Sequence, residues 1–473
     1  MKKIIILHVF ALFAMAGWAQ DETQKPTDSV FTLQSAIDYA IEHNYDVQKA
    51  GLEVLKAKKK VWETTAMGLP QVNASFDANY MLKVPAQLEQ FSSIGDFFIP
   101  IYDIFYAGGL IDQPTYEGIV NGLSEGSVST DDIRWGATLD ISVSQLIFSG
   151  AYIVGLQASK TYQNLSKYME QQSVVDLKEM VTNAYSGVLI AEESKSVLQD
   201  ILETTNNSIK EMEALLEEGF VENTDVDQLR LTAATIETSL KNIELQSKVA
   251  KEMLKLSMGM DLENSIQLED DLNSVMMINN VTDAKGLTFD VTQNINYQLL
   301  ESQEKLAELD VKLSKSEFLP TIAAYYNHQE NFNDNAFLLT PPDIVGVNLS
   351  IPIFTSWKRM SVMQQKEIAL EQTRLDKAKA TNGLNIQYRN NLNQYYTARN
   401  TYENNKSNME LAKKIYEKTQ LKYKEGVSTS FDLSQAQGQY LQTQGNYFQS
   451  IMNLISAKTS LDKLLQQYEP INN

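Results

Sequence analysis

Two periodicities divide this chain. From Val226 to Leu254 the residues Val226, Leu229, Ala233, Ile236, Leu240, Ile243, Ser247, Ala250 and Leu254 recur at alternating steps of three and four. A 3.5-residue period held for four heptads predicts a helix packed as in a coiled coil. An earlier stretch carries Val174, Leu177, Val181, Ala184, Val188 and Ala191 at the same spacing, and a later one carries Met409, Ala412, Tyr416, Thr419 and Tyr423. Several of these seam positions are small or polar, which suits helices that pack on two sides within a wall. Between Gly150 and Glu217 there is no Pro and only two Gly, so one helix there would reach about 100 Å at ~1.5 Å per residue.

Elsewhere the period is two. Val72, Ala74, Phe76, Ala78, Tyr80 and Leu82 alternate with Gln71, Asn73, Ser75, Asp77 and Asn79. Ile133, Trp135, Ala137, Leu139, Ile141 and Val143 alternate with Arg134, Thr138, Asp140, Ser142 and Ser144. Val345, Val347, Leu349, Ile351 and Ile353 repeat the pattern against Asn348 and Ser350, and Ile322 to Phe332 shows it weakly. These runs predict strands at about 70–84, 132–148, 320–332 and 343–354, each with one apolar and one polar face. A membrane β-barrel requires such runs of about ten residues, and a half-buried sheet in a soluble domain shows the same alternation.

The chain also repeats itself. LPQVNAS from Leu69 is echoed by LPTIAAY from Leu319, ISVSQLIFSG ending at Gly150 by VNLSIPIFTS ending at Ser356, and EEGFVENTDVDQ from Glu217 by KEGVSTSFDLSQ from Lys424. Phe148 to Gly219 spans 71 positions and Phe354 to Gly426 spans 72, which marks a tandem duplication. The first repeat covers 21–270 and the second 271–473; each reads as helix, strand, loop, strand, long helix, turn, long helix.

The first twenty residues, MKKIIILHVFALFAMAGWAQ, have the layout of a secretory signal peptide, so 1–20 is expected to be removed on export. With no Cys in the chain, neither a lipid-anchored N-terminal Cys nor a disulfide framework is available. No later run of about 18 apolar residues exists, which leaves a soluble periplasmic protein or a β-barrel. A net charge of −20 and a pI near 4.7 argue against nucleic acid as a partner, and favour solubility or a pathway for cations. Past the signal only His43 and His328 remain as histidines, both read as structural or surface residues. Without a His/Cys metal set, a glycine-rich phosphate loop or a nucleophile elbow, the chain is expected to be no enzyme and to need no cofactor or metal.

Four strands cannot close a barrel. An open edge in hydrocarbon would leave about five unpaired backbone groups per edge strand, each costing several kcal/mol, more than a marginally stable fold tolerates. Closure therefore calls for identical copies around a symmetry axis. Two copies give eight strands with an interior filled by side chains, and three give twelve; the polar inner face of Asn, Ser, Gln and Asp favours the hydrated, three-copy ring.

The chain resembles the TolC family of outer-membrane efflux proteins over essentially its whole mature length. The residues that carry the resemblance are Leu69-Pro70 and Leu319-Pro320 before strands, Ile147-Phe148 and Ile353-Phe354 after them, and the tips Glu218-Gly219 and Glu425-Gly426, each with an Asp six positions beyond the Gly. The resemblance implies a mainly α fold with a membrane β-barrel: long antiparallel helical hairpins forming a periplasmic α-barrel, and a twelve-stranded barrel in the lipid of the outer membrane, made by a homotrimer. It implies a passive conduit of a tripartite efflux or type I secretion system, docked at its tips by a periplasmic adaptor protein and an inner-membrane transporter. It places the docking turns at Gly219, Phe220, Gly426 and Val427. Asp225 and Tyr423 resemble members of the network that keeps the entrance shut, and Asp432 resembles the acidic ring at the constriction. Two positions depart from the family's best-known member: Ser428 stands where it has an arginine and Gln435 where it has a second ring aspartate. Read from the residues alone, the tip glycines are helix stops and Asp225 and Asp432 are carboxylates at helix starts, roles compatible with gating. The other reading of the chain is a soluble periplasmic coiled-coil scaffold or a surface interaction protein.

Three smaller features complete the reading. Lys58, Lys59 and Lys60 form a solvated helix face, and Tyr80, Trp135, Tyr325 and Tyr326 are candidates for an interfacial aromatic girdle. Between Pro85 and Asp131 lies a loop far longer than its counterpart from Asn333 to Pro342, with Phe91, Phe97, Phe98, Tyr102, Phe105 and Tyr106 among glycines. Its length predicts a cover over a barrel mouth, a surface-partner site, or a variable loop packed on itself.

Overall fold

A computed structural model describes residues 29–83, 94–125, 134–278, 289–332 and 341–465; the predicted signal peptide lies outside them. β1 (Ser29–Phe31), α1 (Leu33–His43) and α2 (Tyr45–Ala66) lead to β2 (Gln71–Tyr80), and α3 (Ile94–Ala107) and α4 (Gln113–Glu125) precede β3 (Trp135–Ser149). α5 (Gly150–Glu217) and α6 (Asn223–Met258) form the first long hairpin. β4 (Ile266–Leu268), α7 (Leu272–Ile278) and α8 (Ile295–Ser316) lead to β5 (Thr321–Asn331) and β6 (Asp343–Ser350), and α9 (Lys358–Lys424) and α10 (Ser430–Leu465) form the second hairpin. α5 and α9 are 68 and 67 residues long. The chain divides into two compact units, Leu52–Tyr168 with Tyr297–Ala380, and Met1–Gly51 with Met169–Asn296 and Thr381–Asn473. Each draws on both sequence halves.

The first unit holds an antiparallel sheet of order β2-β3-β5-β6. Its register decides which side chains share a face. Val72, Phe76 and Tyr80 stand opposite Val143, Leu139 and Trp135; Val143 stands opposite Tyr326, and Tyr326 opposite Val345. One face is thus mostly apolar, with His328, Glu330 and Asp343 at its loop end, while Asn73, Ser75, Asp77, Ser142, Asp140 and Asn327 line the other. At that end Asp343 accepts hydrogen bonds from the Tyr326 hydroxyl at 2.6 Å and from His328 Nδ1 at 2.9 Å.

Two expectations change here. Tyr325 falls on the polar face, where its ring covers Gly346 so closely that a Cβ there would lie 2.5 Å from the ring. It therefore does not share a belt with Tyr80, Trp135 and Tyr326. β6 stops at Ser350, not near 354, because Pro352 has no N–H to give the ladder; Ser356 and Trp357 then turn through positive φ into α9.

The helices of this unit keep the order of the strands they join. α2 meets α5 where Tyr152 packs over Gly68 and donates to Thr65 O at 3.3 Å. α5 meets α8 at Gly150, where a Cβ would crowd Ser316 and Leu319. α8 is tied to α9 by Glu304 to Lys377 at 2.9 Å, Lys366 to Asp310 at 3.1 Å and Lys315 to Glu367 at 3.0 Å. Lys58, Lys59 and Lys60 are exposed as expected, around the buried Ala57.

The segment expected as a loop contains the antiparallel helices α3 and α4, joined through Gly109 at φ 71°. Tyr106 stacks on Tyr116, whose hydroxyl donates to Asp103 at 2.5 Å. A run that is apolar except at Gly95, Asp96 and Asp103, with Pro100 inside it, blurs the 3.6-residue period that would have announced α3. Phe91 lies outside the described residues.

The second unit packs in three clusters. In the first, Val174, Leu177, Val181, Tyr185 and Val188 of α5 meet Leu33, Ala36 and Ala40 of α1 and Leu254 and Met258 of α6. Tyr185 is fully buried and donates to Phe31 O at 2.8 Å, while Asp270 accepts the Leu33 N–H at 2.7 Å. That knot joins the short parallel pair β1 and β4 to the helices. Two asparagines do matching work: Asn44 donates to Ser257 O at the end of α6, and Asn294 to Leu464 O at the end of α10, each at 2.8 Å. Each also accepts an N–H at the start of its own helix, Asn44 from Asp46 and Asn294 from Asn296, both at 2.9 Å. Gly259 closes α6 at φ 72°, with His43 O only 2.2 Å from where a Cβ would stand. A second cluster joins Tyr395, Tyr402, Ile451, Leu454 and Ile455 along α9 and α10; the third is at the tips.

Candidate site at the helical tips

Both long hairpins turn by the same device. Gly219 and Gly426 take φ 77° and 70°. The N–H of Phe220 reaches Leu215 O at 2.9 Å and that of Val427 reaches Lys422 O at 2.8 Å, while the glycine N–H groups reach Leu216 O and Tyr423 O. This is the Schellman stop, which needs a left-handed residue at the glycine position. Phe220 and Val427 follow it and are 76% and 75% exposed, as is Phe431 on the first turn of α10. Apolar side chains without cover at two adjacent turns form a surface suited to a partner.

Behind the turns, Val226, Leu229 and Ile236 of α6 pack with Ile201 and Met212 of α5, Ala412 and Tyr416 of α9, and Leu433, Ala436 and Tyr440 of α10. Near the tips the heptad seams thus bury Val226, Leu229, Ile236, Ala412 and Tyr416, with Met409 and Tyr423 partly buried beside them, and polar residues make the cross-links. Ser430 at the start of α10 donates to Asp225 Oδ1 on α6 at 2.5 Å. Further along, the Thr232 and Ser434 hydroxyls meet at 3.1 Å. The buried Gln437 amide donates to the Thr205 hydroxyl of α5 at 2.7 Å.

Asp225 therefore does two things: Oδ2 accepts the Glu222 N–H at 3.3 Å at the helix start, and Oδ1 holds the second hairpin. Tyr423 lies in the same cluster, and its hydroxyl is buried with no hydrogen-bond partner among the described residues. Burial first, and then the charges of Asp225 and Glu211, push its ionisation up to about 12. Asp432 is not brought into this group. Its Oδ2 accepts the Thr429 N–H at 3.1 Å, the Thr429 hydroxyl at 2.8 Å and the Ser428 hydroxyl at 3.2 Å, and its own N–H donates to Thr429 Oγ1 at 3.1 Å. The Thr429 N–H above all, with the two hydroxyls, holds the Asp432 carboxyl below its usual range. Ser428 thus serves the same cap as Asp432. Sequence reasoning missed Ser430, Thr232 and Ser434; hydroxyls beside a heptad seam were the available signal.

Among the described residues, no helix is long and apolar enough to cross a membrane, a statement that says nothing of a β-barrel.

The fold is that of outer-membrane channels. A structure of CusC is 13% identical, with a TM-score of 0.70 over 92% of this chain and 91% of that one. The CmeC outer membrane channel of Campylobacter jejuni is 15% identical, with a TM-score of 0.66 over 94% and 90%. The MtrE outer membrane channel of Neisseria gonorrhoeae in its open state is 14% identical, with a TM-score of 0.67 over 92% and 88%. Among curated proteins no sequence matches this chain. The model of the outer membrane efflux protein family matches residues 36–260 and 296–466, and the chain belongs to that family. It is an outer-membrane efflux channel protein with a long helical extension into the periplasm. The alternative of a soluble scaffold finds no support.

Proposed function

We propose that three copies of this chain close edge to edge into one passive conduit, and that the tips form its periplasmic entrance, gate and docking surface. The observation that carries the reading is the open sheet. β2 and β6 are its two edges, and the apolar residues on both are largely bare: Val72 is 67% and Val345 81% exposed in the single chain. Joining β6 of one copy to β2 of the next supplies the backbone partners that lipid cannot, and puts the bare face against lipid. The edge helices support the same ring. α2 exposes Leu52, Leu55 and Trp62, and α9 exposes Ile368 and Leu375, stripes at heptad-like spacing that a neighbouring copy would cover.

At the entrance, the hydrogen bond from Ser430 to Asp225, with Tyr423 packed in the same cluster, ties the two hairpins of a copy together, and loosening that tie lets the tips splay. Asp432 stiffens the start of α10 and contributes negative charge to the entrance. Gly219, Phe220, Gly426 and Val427 present the surface for a periplasmic adaptor, through which an inner-membrane transporter hands over cargo and supplies the energy. The conduit itself makes and breaks no covalent bond. Reconstitution in planar bilayers tests the reading: the wild type should give long-lived single-channel steps, and Phe220→Glu should keep those steps while abolishing export in cells. A protein that forms no pore in bilayers refutes the conduit; unimpaired export by Phe220→Glu refutes docking at the tips.

A further inference from the structure

The α3–α4 hairpin is not used by anything above. On the apolar helix α3, α4 covers one side, and the rest is bare: Phe97 and Ile104 are 72% and 70% exposed, with Phe98, Ile101 and Phe105 also exposed, and Leu110 in the turn that follows is 74% exposed. Its charged residues, Asp96 and Asp103, share one face at i and i+7, and a bare face as apolar as the rest is a buried face in a finished assembly. From 94 to 125 the hairpin carries five carboxylates, Asp96, Asp103, Asp112, Glu117 and Glu125, and no Lys or Arg. A phosphate-bearing lipid surface would repel it, so lipid is a poor cover. Three of the carboxylates are engaged within the hairpin: Asp103 by Tyr116, Asp112 by the Thr115 N–H at 3.1 Å, and Glu117 by Gln113 at 2.9 Å. Asp103, in the middle of α3, is therefore not forced unpaired into a contact between hairpins.

We propose that the cover is the same hairpin from the other copies, the three α3–α4 pairs packing together at the outer mouth of the channel. This rests on the three-copy ring of the preceding section. The hairpin is strung between β2, an edge strand where neighbouring copies join, and β3. Residues 81–93 link it to β2, and such a length spans up to roughly 45 Å at ~3.4 Å per residue. A twelve-stranded barrel with strands about 4.8 Å apart and tilted by about 40° has a radius of only about 12 Å. Every hairpin can therefore reach its two counterparts. Confinement to so small a mouth gives them an effective concentration in the millimolar range or above, which a freely diffusing surface partner would have to outcompete.

The chain has no Cys, so a single introduced thiol reports only its own neighbours. Ile104→Cys and, separately, Leu110→Cys are treated on intact cells with a short bis-maleimide, and the extracted particle is weighed by native mass spectrometry without cross-linker. The expected result is a particle of three protomers and abundant cross-linked dimers from at least one position. Adding Phe97→Asp should lower the cross-linked fraction by about tenfold with the particle mass unchanged, because a carboxylate cannot be buried in the contact unpaired. A three-protomer particle without dimers from either position overturns the proposal and leaves the ring intact; cross-links to a different protein overturn it in favour of a surface partner. A one-protomer particle instead refutes the ring on which the proposal rests.

Discussion

Ser430→Ala removes the hydroxyl that ties α10 to Asp225. A hydrogen bond to a charged acceptor contributes about 1.5–3 kcal/mol; the pair is only part-buried, so roughly 1–2 kcal/mol is the expected loss per copy. If the three tips splay together, the change in the opening equilibrium is about 3–6 kcal/mol, or some 10²- to 10⁴-fold at ~1.4 kcal/mol per decade. If they splay singly, it is roughly 5- to 30-fold. The assay is twofold: open probability of the reconstituted channel, and killing of expressing cells by a membrane-impermeant antibiotic. Ser430→Thr keeps the hydroxyl and should stay near wild type, which separates the tie from mere packing. Open probability and susceptibility both unchanged in Ser430→Ala, at equal amounts of assembled protein, would refute the view that this bond holds the tip closed.

Other substitutions test neighbouring parts of the account. Gly259→Ala should prevent normal assembly, because the added carbon meets His43 O as well as positive-φ strain; Gly426→Ala, with nothing within 4 Å of its Cβ, should cost only about 1 kcal/mol in denaturant titrations. Asn44→Ala and Asn294→Ala should each lose about 1–2 kcal/mol, and similar amounts, since both strip a helix cap and strand a carbonyl; a large inequality in their unfolding midpoints would break that equivalence. Tyr423 is raised to about 12 from the 10 of a free tyrosine, so the folded state holds the proton more tightly. Its stabilising share is complete below pH 10 and lost as pH rises through 12. Tyr423→Phe should therefore flatten the alkaline unfolding profile in that window. Asp432 has the opposite sign: with a lowered carboxyl, its contribution is present above the ordinary value of 3.8 and fades as pH falls below it, so Asp432→Asn should matter at neutral pH and progressively less as the solution is acidified below 3.8.

The legible parts of this fold are those whose signal repeats. Val226, Leu229 and Ile236 announce a seam because every turn of α6 meets the same kind of neighbour, and they are buried as that seam requires. Val72, Phe76 and Tyr80 announce a two-faced strand for the same reason. Single tertiary contacts leave no period. Ser29–Phe31 is a strand only because Ile266–Leu268 lies beside it, more than two hundred residues away. Asn44 and Asn294 look like ordinary turn residues until the carbonyls of Ser257 and Leu464 arrive. At the tips, Asp225 stood out by its place after the glycine, whereas its partner Ser430 is one hydroxyl among many in a polar stretch. Lys458 is buried and held by both oxygens of Asp462 at 2.6 Å, and its position on a helix face gives no hint of it.

The joining of β2 to β6 between copies is the claim on which the conduit depends, and the mass of the intact particle tests it most directly. Native mass spectrometry of protein extracted from outer membranes in mild detergent should return three protomer masses and no stable smaller species. A particle of one or two protomers, fully folded and resistant to protease, would leave the exposed edges of the sheet without their partners and contradict the account.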